Sequence, residues 1–167
     1  MVAQKIILGK GVFSIGDTPI ALTRGGGQFT VEREVRQIEA DGDRGPVKGR
    51  TVIDKSVPKL IMNVLEAIPE NLPKMYAGLK ATKGEGKTVI TGTSQIADSD
   101  YQEFVKWTGK TKDGKGVVIK VDNAINLENF DWTLADKDEV ISALSYTGCY
   151  LDNSPQDYEP WEVEFAD

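Results

Sequence analysis

The chain is 167 residues long, 40% hydrophobic and 28% charged, which suits one domain able to bury a core without disulfide or metal staples. With no histidine and the single cysteine Cys149, it excludes Ser-His-Asp and Cys-His catalysis, His-based zinc sites and an intrachain disulfide. Its net charge of −6 argues against sequence-specific duplex binding, which needs a basic footprint.

In chain order the pattern is mainly β. Residues 11–16 read as a short strand, Asp17-Thr18-Pro19 as a turn, and Ile20-Ala21-Leu22 as the start of the return. Gly25-Gly26-Gly27 breaks that path with a bend or bulge. Residues 28–40 alternate: Phe29, Val31 and Val35 fall on the core face, Thr30, Glu32, Glu34 and Arg36 on the polar one. Asp41-Gly42-Asp43-Arg44-Gly45-Pro46 is a charged loop by its turn residues, and 47–55 reads as the partner strand of a long hairpin. After Pro58, the residues Leu60, Ile61, Val64, Leu65 and Ile68 have helical spacing, closed by Pro69, which predicts one flanking helix. A shorter helical turn is expected within 72–79. Strand patterns resume at 87–97, 101–108, 116–122, 127–134, 139–151 and 161–165, with an Asp113-Gly114 hairpin turn before the third. Six to nine strands and one helix predict a β-sandwich or barrel with a helix on its flank, as a single domain over 1–167. No apolar run reaches bilayer length and no basic-then-apolar leader opens the chain, so neither membrane insertion nor a signal peptide is expected.

The motifs that suggest chemistry have simpler readings. The segment 81–88, Ala-Thr-Lys-Gly-Glu-Gly-Lys-Thr, is a relaxed phosphate-loop pattern, but a strand and not a helix follows it, so it reads as a loop entering a strand. The pairs Asp41/Asp43, Asp98/Asp100 and Asp136/Asp138 lack the rest of a calcium loop and read as solvated carboxylates. Glu32 and Glu34 stand about 7 Å apart along one strand face. Glycosidases use such pairs, yet any alternating strand with two glutamates has one, and Trp107, Trp132 and Trp161 are scattered. Cys149 reads as a small apolar filler. No catalytic residue, metal site or cofactor is expected, and the chain reads as something other than an enzyme. The charge is uneven: residues 1–121 hold 19 basic and 14 acidic side chains, while 122–167 hold Lys137 and 12 acidic ones. A molecule with two signs of surface can attract copies of itself head to tail.

Five stretches carry a resemblance. They are 22–34 with Arg24-Gly25-Gly26-Gly27-Gln28-Phe29, 38–49 with Asp41-Gly42-Asp43-Arg44-Gly45-Pro46-Val47-Lys48, then 131–139 opening Asp131-Trp132-Thr133, 146–152 with Gly148-Cys149-Tyr150, and 159–163 opening Glu159-Pro160-Trp161. In this order and spacing the chain resembles the major tail tube proteins of long-tailed bacteriophages, especially those of Gram-positive hosts. The resemblance spans nearly the whole chain and rests on the ordered set, not on any one motif.

The resemblance implies a β-sandwich or barrel-like tail-tube fold with one flanking helix, its sheets merging into a ring barrel when six copies close. Hexameric rings would stack into a hollow tube through which DNA passes non-specifically. It implies a virion protein assembled in the host cytoplasm, with tape-measure, tail-tip and tail-terminator proteins as partners and no catalytic residues. It assigns inter-ring or inter-subunit contact to the hairpin loop, through Asp41, Gly42, Asp43, Arg44, Gly45, Pro46 and Lys48, with the loop ordering on assembly. It suggests that Glu32, Glu34 and Arg36 face or border the lumen, where a carboxylate excess would act on DNA within a Debye length of about 8 Å. Tubes of contractile tails, bacteriocins and secretion machines have related folds and form the alternative. A ligand-binding β-sandwich module or a carboxylate enzyme are the competing classes.

Overall fold

The computed structural model describes residues 5–20, 22–155 and 157–167; Ala21, in the expected return strand, and residues 1–4, at the expected leaderless start, lie outside the described residues. The strands are β1 Ile7–Ile15, β2 Thr18–Pro19, β3 Thr23–Gln37, β4 Thr51–Val64, β5 Leu79–Gly84, β6 Lys87–Gly92, β7 Gln102–Thr111, β8 Gly116–Asn126, β9 Ser142–Gly148 and β10 Trp161–Phe165. The α-helix, α1 Leu72–Met75, has four residues. The chain is therefore mainly β, with antiparallel sheets.

The main sheet runs β2-β1-β7-β8-β9-β4-β3, with β10 also on β8, while β5 and β6 form a separate hairpin. β8 is the branch point. One edge of it pairs with β7 from Gly116 to Ala124. The other edge is divided: β10 takes Val117 to Val121 and β9 takes Ala124 to Asn126. Gly148 sits in the resulting fork. A Cβ there would stand 2.7 Å from Val121, 2.8 Å from Pro58 and 3.2 Å from the Pro160 carbonyl, so the site has room for a hydrogen only.

Beyond the fork, β9, β4 and β3 curl round until the two ends of the sheet meet through side chains. The Phe13 ring of β1 ends 2.6 Å from where a Cβ on Gly27 of β3 would be. No hydrogen-bonded rung joins β1 to β3, so the barrel is not closed. Alternation fills the interior. Leu60, Met62 and Val64 of β4, Val105 and Trp107 of β7, Val117 and Val121 of β8, and Leu144 and Tyr146 of β9 are all buried. Trp107 lies over Gly11 and Gly109, where any side chain would collide with its ring. α1 plugs one end. The Asn126 amide donates to the Met75 carbonyl at 2.7 Å, and the buried Tyr146 hydroxyl to that of Lys74 at 2.8 Å. Desolvation holds the Tyr146 phenol far above its ordinary pKa, which keeps it a donor.

The flanking helix expected after Pro58 is not formed. Residues 60–64 belong to β4, and their burial alternates with period two. The apolar run imitates helical spacing because Ile61, facing away from Leu60 and Met62, is itself half-buried under the β8–β9 connection. Pro58 lies one residue past the last rung to β9, where β4 has only β3 beside it. The short helical turn within 72–79 corresponds to α1. The strand expected at 127–134 is absent: Phe130 and Trp132 alternate, but they stack on one another at 4.8 Å, and Phe130 meets Tyr76 at 4.9 Å. The strands expected at 87–97 and 139–151 shorten to β6 and β9, and 81–84, expected as loop, belongs to β5.

Gly148→Ala is expected to lower stability by about 1–3 kcal/mol, the usual cost of forcing a methyl into a packed site. Gly45→Ala, with nothing within 4 Å, is expected to stay near neutral. Paired denaturant melts check the contrast.

Candidate assembly surface

β4 pairs with β9 only from Lys59 to Val64, whereas β3 and β4 stay paired down to Gln37 and Thr51. The two strands thus run on past β9 as a two-stranded arm. Ser56 is the last buried residue before the arm leaves the body, and its hydroxyl donates to Glu159 at 3.0 Å. Tyr150 donates to the same carboxylate at 3.0 Å. Phe29 and Val31 are half-buried as their face requires, but Val35 on that face is 55% exposed, opposite an equally exposed Ile53. Val35 keeps the parity of Phe29 and Val31 but not the expected place in the core, because the core does not extend that far. A two-stranded ribbon with an apolar pair in water is marginal alone.

The opposite face carries Glu32, Glu34 and Arg36. Lys59 Nζ lies 3.3 Å from Glu32, Lys55 stands directly across from Glu34, and Arg36 Nε donates to Asp54 at 3.0 Å. Asp54 is the extra residue of a bulge, where the register slips between Glu34↔Lys55 and Val35↔Ile53. Its hydrogen bond and charge push the Arg36 guanidinium above its ordinary value. The excess of carboxylate suggested by β3 alone is offset by Lys55 and Lys59 of β4. Sequence reasoning missed these partners because only the register identifies them.

The loop at the end of the arm has a built conformation. Turns at Asp41-Gly42 and Lys48-Gly49 each place their glycine at φ 89°, which other side chains rarely adopt. Asp43 Oδ2 accepts from the Ala40 amide at 2.8 Å and from Arg50 Nη1 at 2.8 Å. The Ile38 amide donates to the Arg50 carbonyl at 2.9 Å and closes the base. Of the residues expected to make contacts, Asp43 is therefore engaged within the loop. Asp41, Arg44, Pro46 and Lys48 are exposed, and Gly45 faces open space.

Other motifs resolve locally. The phosphate-loop pattern is the β5–β6 hairpin, turning at Glu85-Gly86 with no helix after it. Asp100 accepts from the Ala97 amide at 2.8 Å, and Asp138 from that of Glu139 at 3.0 Å. Arg24 donates to Glu139 at 2.9 Å and holds its carboxyl below the usual range. Burial pushes the half-buried Cys149 thiol up, away from the reactive thiolate. Among the described residues no group of three carboxylates or thiols is placed to hold a metal. Between β1 and β3 lies a cavity of about 350 Å³, lined by Phe13, Phe29, Leu60, Trp107 and Ile119. The outer edges of β3, of β10 and of β1 over 7–12 carry no partner strand among the described residues.

No protein-family model matches the chain, and no curated protein matches it.

Asp43→Ala is expected to loosen the loop without unfolding the body. Amide exchange over 38–50 should accelerate several-fold. The unfolding free energy should change by no more than about 1 kcal/mol, because the lost bonds are exposed.

Proposed function

We propose that the chain is a tail tube subunit, a structural virion protein of a long-tailed bacteriophage whose copies close hexameric rings and stack into a hollow tube. The observation that carries this reading is the arm, which runs beyond β9 with Val35, Ile53 and Ile38 exposed beside a sheet with open edge strands. Open edges are templates for another chain, and a ring of copies removes them. On this reading the sheets merge into one ring barrel, and Asp41, Arg44, Pro46 and Lys48 touch the next ring. Glu32, Glu34 and Arg36 border the lumen; their pairing within the subunit leaves a nearly neutral wall, which suits non-specific passage of DNA. The partners are further copies of the chain and the tape-measure, tail-tip and tail-terminator proteins. The subunit is made in the host cytoplasm, works without a cofactor, and catalyses nothing. The same arm would serve a tube of a contractile tail, a bacteriocin or a secretion machine. The aromatic-lined cavity between β1 and β3 is a feature that favours a ligand-binding module instead.

Electron microscopy of the purified chain, alone and with a tail-tip nucleus, is expected to show rings of one diameter or tubes. Tails isolated from virions should hold this chain in their repeating density, and its absence there would refute the proposal. The double variant Val35→Lys, Ile53→Lys is expected to abolish polymers while leaving the monomer's unfolding free energy within about 0.5 kcal/mol of the parent's, since both side chains are exposed.

A further inference from the structure

The β5–β6 hairpin stands apart from the main sheet, laddered from Leu79↔Gly92 to Gly84↔Lys87. Its alternation gives two faces. Leu79, Ala81 and Ile90 are half-buried on one, where Lys83 near the turn is exposed, while Lys80, Val89 and Lys87 are exposed on the other. Lys80, Lys83 and Lys87 have no ion-pair partner among the described residues, and Glu85 is the hairpin's single carboxylate.

The connection from β8 to β9 is opposite in sign, with Glu128, Asp131, Asp136, Asp138 and Glu139 against Lys137. Arg24 engages Asp138 at 3.9 Å and Glu139 at 2.9 Å, whereas Glu128 and Asp131 have no cation beside them among the described residues. These two line a groove of about 420 Å³ against Ile61, Ala143 and Ser145. The groove wall is held in advance, by the Phe130 and Trp132 rings and by Trp132 Nε1 donating to Ser142 at 3.0 Å.

Hairpin and groove leave the body together. The Ala77 amide, two residues before β5, donates to the Asn126 carbonyl at the end of β8 at 3.1 Å. Yet no ion pair joins Lys80, Lys83 or Lys87 to Glu128 or Asp131 within the chain.

We infer that the basic hairpin of one copy docks on the acidic groove of a second, with Lys80 and Lys87, which share its exposed face, toward Glu128 and Asp131. The inference rests on the self-assembly proposed above and names one of its contacts. Charge complementarity selects the occupant: a nucleic acid would match the lysines and leave the groove carboxylates unanswered, whereas a second copy answers both. The contact is heterologous, so it propagates round a ring. Both elements stand at the end of the sheet opposite the arm loop, as the β8–β9–β4 register requires. The contact therefore joins neighbours side by side and leaves the arm to join rings.

Carbodiimide cross-linking, which fuses lysine amines to touching carboxylates, tests this on an equal mixture of unlabelled and ¹⁵N-labelled chain under assembly conditions. Mixed-isotope peptides linking 80–87 to 128–131 are expected; links only within single chains would overturn the inference. Lys80→Glu with Lys87→Glu is expected to raise the concentration of half-assembly at least about tenfold. Adding Glu128→Lys and Asp131→Lys to the same chain should restore it, with melts matching the parent throughout. Unchanged assembly in the lysine variant, or no restoration in the swapped one, overturns the docking while tube assembly stands. A lysine variant that assembles normally but loses retention of a DNA oligonucleotide assigns the hairpin to nucleic acid and likewise overturns it. A parent chain that never assembles overturns the assembly reading and this contact with it.

Discussion

Two strands cannot hydrogen-bond to the same rung of a third from the same side, and β8 meets that limit. β10 occupies its free edge from Val117 to Val121, so β9 joins only at the last three residues, Ala124 to Asn126. The sheet must divide there, and Gly148 takes the cramped corner between Val121, Pro58 and Pro160 because it brings no side chain. Everything on the β9 side then swings away and curls until Phe13 meets Gly27. Since β9 ends at Gly148 while β3 and β4 continue, the arm is a consequence of the same division.

The arm and the body are stabilised by different physics. The body buries apolar side chains from β1, β4, β7, β8 and β9 around Trp107 and Tyr146. The arm has little to bury beyond Ser56, so its order comes from the ladder, the Asp43 clasp and cross-strand pairs such as Arg36 with Asp54. Exposed pairs of that kind contribute little each. A segment so built is the part of the molecule with most to gain from a partner.

Charge along the chain and charge in space differ. The acidic final third and the more basic part before it look like two ends of a molecule. In the fold, the basic β5–β6 hairpin and the acidic β8–β9 connection leave from neighbouring points, Ala77 and Asn126. On the arm and at its root, β4 brings Lys55 and Lys59 against the glutamates of β3. The interactions offered to other molecules therefore follow the register and not the order of residues.

The sequence alone determined those features that local stereochemistry decides. Alternation over 28–36 shows β3 and both its faces, Gly25 to Gly27 marks a bulge, and Asp113-Gly114 places the turn between β7 and β8. Turn chemistry likewise marks the loop at 41–49. The composition also argues for a chemistry without histidine or paired cysteines. Tertiary structure decided the rest. Residues 60–64 have apolar side chains on both faces, and a run of that kind is helix or strand according to its neighbours; the rungs to Ser142–Thr147, far along the chain, make it a strand. Phe130 and Trp132 alternate like a strand, but Tyr76 offers a stacking partner where no ladder is free. Val35 has the pattern of a core residue and lies in water, because where a core stops depends on how far the adjoining strands reach. Pairing between distant segments is a property of the whole chain, and no window of sequence contains it.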